Sequence, residues 1–247
     1  MRTVNFRSKH HLYGKKVIVF LTIFFFIVSA SFAQKLSWIK KPNRNYDNKK
    51  ITYGFLIGLH SSAYQIKYSP EFVTPEFDTV YSVEPSWSPG FSLGFIINHR
   101  LDELWDIRLT PTVGFYEHRL RYNFTDDTKT EEQLVETTMV ELPLLIKFKS
   151  EKRNNVRMYM VGGVKPAFEA SGKNKLKNVT STLEVKGTNL SLDLGFGLDI
   201  YYPLFKFSPE LRFSKGIMDV LDNKTNKYGA PLQRVNTNLI TLNLIFQ

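Results

Sequence analysis

The sequence contains no cysteine. That excludes a disulfide scaffold, thiolate metal ligands and a cysteine nucleophile. Histidine is scarce too: there are five in 247 residues, and two of them, His10 and His11, fall in the first 33. The other three (His60, His99 and His118) have no ligand spacing, so no metal or cofactor site is expected. Beyond residue 33 no apolar run reaches the ~18–20 residues of a helical membrane span. If the chain lies in a membrane, it must do so as a closed barrel, the other structure that satisfies every backbone group there.

A large excess of charge is also lacking. The chain has 33 basic and 23 acidic residues, but the excess is all N-terminal. Residues 1–33 read as a secretory signal peptide: Lys15 and Lys16 precede an apolar run from Val17 to Val28, and Ser31-Phe32-Ala33 is a small-x-small cleavage site. This segment carries Arg2, Arg7, Lys9, Lys15 and Lys16 and no acid. Residues 34–50 are expected to be a basic, irregular segment, with Lys35, Lys40, Lys41, Arg44, Lys49 and Lys50 against Asp47 alone. It would be either a solvated tail or a docking segment for an anionic headgroup or acidic partner. From Ile51 to Gln247, the expected barrel domain, the signs balance at 22 against 22, and no nucleic acid partner is expected.

What is present is alternation. In Asn189–Tyr202 (NLSLDLGFGLDIYY), Leu190, Leu192, Leu194, Phe196, Leu198, Ile200 and Tyr202 alternate with polar residues and glycine. This period of two makes a strand with one apolar and one polar face, and it exceeds the ~9–11 residues that cross a bilayer at a tilt. Seven more such runs are expected: Ile51–His60, Pro89–His99, Trp105–Tyr122, Leu134–Lys149, Val156–Glu169, Phe205–Gly216 and Thr237–Gln247. Pro111 should distort pairing in the third of them. Ser61–Ser88, Asn123–Gln133, Ala170–Gly187 and Ile217–Val235 read as long loops, alternating with short turns. Antiparallel wiring then gathers the long loops at one rim, and the turns with both ends of the barrel at the other.

The apolar faces carry the bulk, and the polar faces carry charge and glycines 54, 58, 94, 114, 163, 195 and 197. A soluble barrel would hide its bulky face; a membrane barrel turns it to lipid. The expected fold is therefore all-β, an eight-stranded antiparallel up-and-down transmembrane β-barrel in the outer membrane, both termini periplasmic. Its interior candidates are Asp106, Arg108, Glu141, Lys147, Arg157, Lys165, Glu169, Asp193, Asp199, Glu210 and Arg212. With both signs present in an interior just wide enough for side chains, they read as an ion-paired plug rather than a pore.

Catalysis has little support. His60 with Ser61 and Ser62, and His118, fall near the long-loop rim, but no pattern enforces the base–nucleophile geometry of a relay. Arg119, Arg121, Lys173, Lys175, Lys177 and Lys186 at that rim could meet lipopolysaccharide phosphates. Aromatics should form two girdles: Trp105, Tyr201, Tyr202, Phe205, Phe207 and Phe246 by the turns, and Tyr64, Trp87, Phe91 and Phe115 by the loops.

Four stretches carry a family resemblance: Ser82–Arg100 (SVEPSWSPGFSLGFIINHR), Val135–Asn155 (VETTMVELPLLIKFKSEKRNN), Met158–Gly163 (MYMVGG) and Leu194–Ser214 (LGFGLDIYYPLFKFSPELRFS). In order, they resemble PorT, the outer-membrane barrel of the Bacteroidetes type IX secretion system. The resemblance implies a part in exporting folded cargo and, in gliding bacteria, adhesins. It implies no catalytic residue. Since a filled barrel cannot pass a folded protein, the expected role is accessory or scaffolding, with other type IX outer-membrane or periplasmic proteins as partners. The alternative is a free-standing barrel with a surface-binding or small-solute role.

Overall fold

The computed structural model describes residues 46, 49–73, 80–124, 130–170, 183–223 and 228–247. The expected signal peptide lies outside them, as does the basic segment apart from Tyr46, Lys49 and Lys50.

Hydrogen bonding divides the described residues into eleven strands: β1 Ile51–Tyr68, β2 Val80–Ser86, β3 Ser88–Arg100, β4 Trp105–Leu109, β5 Thr112–Phe124, β6 Thr130–Glu141, β7 Leu144–Lys149, β8 Val156–Glu169, β9 Thr188–Tyr201, β10 Lys206–Gly216 and β11 Leu232–Phe246. They occupy eight positions around one ring: two expected strands are each interrupted once, β4 and β5 at Thr110–Pro111 and β6 and β7 at Leu142–Pro143, and β3 is preceded in its position by β2, from which Trp87 divides it. All pairings are antiparallel between chain neighbours, and β1 closes the ring on β11 from Phe55↔Phe246 to Lys67↔Arg234.

The proline breaks have a simple cause. A proline has no N–H to give, but its carbonyl still accepts. Pro111 accepts from Phe95, Pro143 from Thr110 and Pro166 from Leu142. Register is kept across the gap, Ile97↔Leu109 and Gly94↔Thr112 lying in one frame. The expected distortion at Pro111 is thus an interrupted ladder without a bulge. The bulge lies instead at Trp87, where four residues, Trp87–Gly90, face three, Tyr116–His118.

The faces are inside-out. Along β9 the residues Leu192, Leu194, Phe196 and Leu198 are exposed, while Ser191, Asp193, Gly195, Gly197 and Asp199 are buried. The same inversion runs around the ring, with Phe55, Phe95, Ile146, Met160 and Leu242 outside. Trp105 to Phe115 is eleven residues; their ten steps, at ~3.3 Å rise and ~40° tilt, span about 25 Å, the height of a lipid-facing band.

Three of the expected loops at the loop rim are corrected. Ser61–Ser88 is not all loop: β1 continues to Tyr68 and β2 is paired to β5. β2 has no strand on its other side among the described residues, which is where Pro85 is tolerated. Asn123–Gln133 and Ile217–Val235 are also partly strand, since β5, β6 and β11 extend into them. The prolines and acidic residues there hide a short alternation of Tyr64, Ile66 and Tyr68. In the girdles, Trp105, Phe205, Trp87, Phe91 and Phe115 face outward, whereas Tyr64 and Tyr201 turn into the lumen and are buried.

Candidate functional site

The lumen is the candidate site, and it is filled in layers. Nearest the turns, Lys149 donates to Asp106 (2.5 Å), which also takes Asn98 (3.0 Å). Lys147 and Ser208 each donate to Asp199 at 2.6 Å, and the Lys206 ammonium stands 3.9 Å from it. In the next layer Glu210 accepts from Arg108 (2.6 Å), Arg212 (2.5 and 3.0 Å) and Tyr159 (2.9 Å). Arg212 also reaches Asp193 at 3.7 Å. The Lys147 ammonium sits 3.6 Å over the Tyr159 ring, a cation–π contact strengthened by loss of water. Arg108, Lys147, Asp199 and Glu210 are fully buried. Charges this buried persist only when paired and hydrogen-bonded.

Alternation places these groups. The pairs join inward positions within one strand (Arg212 and Glu210), on neighbouring strands (Lys149 and Asp106), on strands one apart (Lys147 and Asp199) or across the lumen (Arg108 and Glu210), and glycine gives the larger side chains room. At Gly197, for example, an added Cβ would collide with the Tyr159 ring. Toward the loops, Glu141 accepts from Tyr116 (2.6 Å) and Lys165 (3.1 Å). The Tyr116 ring stacks on His60 at 4.4 Å, and Tyr64 stacks on His118 at 4.2 Å. Above them is a cavity of about 60 Å³, bordered by Tyr64, Tyr116, His118, Glu141, Lys165, Glu169 and Asn189. That volume is room for about four to six waters at ~10–15 Å³ each.

An apolar layer covers this cavity. Tyr64, Val83, Leu120, Tyr122, Val220, Leu221, Tyr228 and Val235 form one buried cluster at the loop rim. The segments around Val185 and Leu221 meet there in a β-bridge. Asp219 Oδ1 fixes the layer by accepting from the Leu221 and Val235 amides (3.1 and 3.0 Å), and Tyr122 donates to the Tyr228 carbonyl (2.9 Å). At the opposite mouth Tyr46 lies edge-on to Tyr201 (5.8 Å), with the Lys206 ammonium 4.9 Å over its ring.

Of the interior candidates, Asp106, Arg108, Glu141, Lys147, Lys165, Asp193, Asp199, Glu210 and Arg212 are buried, and Arg157 and Glu169 are half-buried. Sequence reasoning missed Tyr116 and Tyr159 as network members. An inward tyrosine cannot be told from a lipid-facing one by type, although the β8 alternation fits Tyr159 inside. His60 and His118 point inward, but no hydroxyl is engaged by His60; Ser62 donates to the Glu117 carbonyl instead (3.2 Å). His99 is exposed at the turn rim. Among the described residues no three His, Asp or Glu side chains gather as a metal ligand set. At the loop rim Arg119 pairs with Glu117 (2.6 Å) and Arg121 with Glu132 (2.9 Å). Lys186 donates to the Asp219 carbonyl (3.2 Å); Lys173, Lys175 and Lys177 lie outside the described residues.

A closed antiparallel barrel with apolar residues outside and paired charges inside is a membrane-spanning barrel. The comparisons assign its kind. The sequence model of the outer membrane protein beta-barrel domain matches residues 32–222. The chain belongs to that family, and its place is the outer membrane. No curated protein matches it. Among solved structures it is similar to OprG from Pseudomonas aeruginosa, at 11% identity and TM-score 0.43, over 78% of this chain and 93% of that one. It is also similar to Neisserial surface protein A, at 11% identity and TM-score 0.36, over 80% and 98%. A third is Ail of Yersinia pestis, at 13% identity and TM-score 0.34, over 80% and 98%.

Proposed function

We propose that this barrel is an accessory or scaffolding component of a type IX secretion apparatus, without enzymatic activity, and that its turn rim and both termini face the periplasm. The observation that carries the reading is the filled lumen. Two ion-paired layers and an apolar cover leave no passage for a polypeptide, so any part in export runs through partners held at the rims. The sequence resemblance to PorT supplies the system, and the net positive charge of the basic segment 34–50 supplies a contact for periplasmic or outer-membrane partners. Arg119 and Arg121 stand on the outer wall near the loop rim, where lipopolysaccharide phosphates would lie.

Deletion of the gene tests this. Cargo should accumulate in the periplasm, while unchanged export would end the secretion reading. Co-purification in mild detergent separates it from a free-standing barrel: stable larger outer-membrane partners support the scaffold, and a lone monomer opposes it. Removing residues 34–45 should preserve barrel insertion and lower export; full export after trimming would relieve the segment of that role.

A further inference from the structure

Charge is not spread evenly along the barrel axis. The middle of the lumen balances, with Arg108, Lys165 and Arg212 against Glu141, Asp193 and Glu210, all buried. The stretches that make the turn end (47–50, 98–106, 147–157 and 199–206) carry nine basic and six acidic residues. Cations therefore stay in excess there whatever pairs they form.

Part of that excess points into the lumen. A small space of about 20 Å³ lies at the turn mouth, bordered by Thr52, Asn98, Lys49, Arg100, Lys149 and Lys206. At ~10–15 Å³ per water-sized group, it has room for the two oxygens of one carboxylate. Asp106 and Asp199 border it too, but each is already met. Asp106 accepts from Lys149 and Asn98, and Asp199 from Lys147 and Ser208. The Lys149 ammonium has three N–H groups and gives one to Asp106. Thr52 and Asn98 are partners across β1 and β3 and are 9% and 5% exposed. Yet the Thr52 hydroxyl and the Asn98 amide oxygen have no hydrogen-bond partner among the described residues. Buried polar groups left unmet are costly, so this place favours a ligand that brings an acceptor and a donor together.

We propose that the turn mouth is a binding site for an acidic peptide segment of another protein. One aspartate or glutamate carboxylate of that segment accepts from Lys149, Lys49 and the Thr52 hydroxyl, and a main-chain N–H of the same segment donates to Asn98. Thr52, Asn98 and Lys149 face the lumen, whereas lipid lies outside the wall, so the ligand arrives along the barrel axis from water and not from the membrane. Lys206 over the Tyr46 ring and Lys152 over the Tyr201 ring add to the positive field around the mouth, which draws acidic segments toward it. That the segment is periplasmic rests on the proposed placement of the turn rim; the binding site does not.

The test uses the full chain in phosphatidylcholine nanodiscs, which leave both mouths open to solution. The probe is a fluorescent dodecapeptide of alternating glutamate and glycine that carries one diazirine; its control has glutamine in place of every glutamate. By anisotropy, the acidic peptide should bind about tenfold or more tightly than the control. Its cross-links should map to residues 46–52, 98–106 and 147–157. Thr52→Val keeps the charge and removes the hydroxyl, and should weaken binding about three- to fivefold. Lys49→Gln, at an exposed position, should weaken it by a similar factor. Equal binding of the two peptides, cross-links confined to residues 34–45 or to the loop rim, or binding unchanged in either variant overturns the site. Capture of phosphatidylglycerol from mixed discs in place of the peptide also overturns it. Export is not part of the readout, so the site stands or falls apart from the secretion reading.

Discussion

Glu210→Gln separates a dry plug from a water-filled lumen. The carboxylate is fully buried and receives five donor contacts, from Arg108, Arg212, Tyr159 and Asn243. Glutamine keeps the shape and removes the charge. Arg108 is then left with the Tyr159 ring at 5.3 Å, and Arg212 with Asp193 at 3.7 Å. Removing one partner of a buried ion pair costs about 3–5 kcal/mol. With a urea dependence of about 2 kcal/mol/M, the unfolding midpoint should fall by about 1.5–2.5 M. The assay is urea unfolding of vesicle-inserted protein, followed by the fluorescence of Trp87 and Trp105. In a solvated pore the same contacts would be screened and worth about 1 kcal/mol or less. A fall below about 0.5 M would refute the plug. Tyr159→Phe, which removes one donor to a charged acceptor, should give a smaller step of about 1.5 kcal/mol in the same titration.

Further predictions address the other layers. Leu194→Arg, on the lipid face, should cost about 2–4 kcal/mol in the same unfolding assay; a neutral result would contradict the sidedness of β9. Gly197→Val should displace Tyr159 and cost about 1–3 kcal/mol by overpacking. Leu221→Ala should loosen the apolar cover, costing about 2–5 kcal/mol, and limited proteolysis should then cut residues 217–231 faster with the barrel still folded. Single channels in planar bilayers should show low conductance, and a large steady current would oppose a filled lumen. Tyr46→Ala loses an aromatic edge contact and a cation–π contact, together about 1–2 kcal/mol; proteolysis ahead of Ile51 should accelerate while the barrel midpoint stays within about 0.5 M.

The ring of eight positions was legible because each strand repeats one signal, bulk on alternate residues, and the bulk faces lipid in all of them. Val156–Glu169 was read to its correct bounds despite Tyr159, since Met158, Met160, Val164 and Phe168 still keep the period. Pairing partners were not legible. Arg108 and Glu210 lie 102 residues apart, and nothing local to either chooses the other among a dozen interior charges. The apolar cover was hidden for a different reason. Leu183 and Val185 occur singly among polar residues and Val220-Leu221 as a short pair between Asp219 and Asp222, and only the convergence of several connections over one mouth makes them a core. The bulge at Trp87 had a weak signal in Pro85 and Pro89 on either side, but Pro111, which looked just as disruptive, leaves the register untouched. A proline marks a missing donor, and whether the frame shifts depends on the neighbouring strand.

The two ends of the lumen are closed by different physics, and that difference bears on which can respond to a partner. The loop end is closed by an apolar cluster whose members come from β1, β2, β5, β6, β11 and two connections. Opening it exposes that surface to water at ~25 cal/mol per Å², so it resists charge-driven contacts. At the turn end, among the described residues, Tyr46 borders the mouth beside the Asp106 and Asp199 ion pairs and is set among cations: Lys206 over its own ring and Lys152, at 3.7 Å, over the ring of Tyr201. Contacts of this kind are worth about 0.5–2 kcal/mol each, within reach of a single acidic side chain brought by another protein. Residues 34–45 carry four of the five net positive charges that the sequence has outside residues 1–33. On the proposed periplasmic placement, an acidic partner brought to the turn end would meet these contacts first, and the barrel itself need not change shape for the contact to be felt.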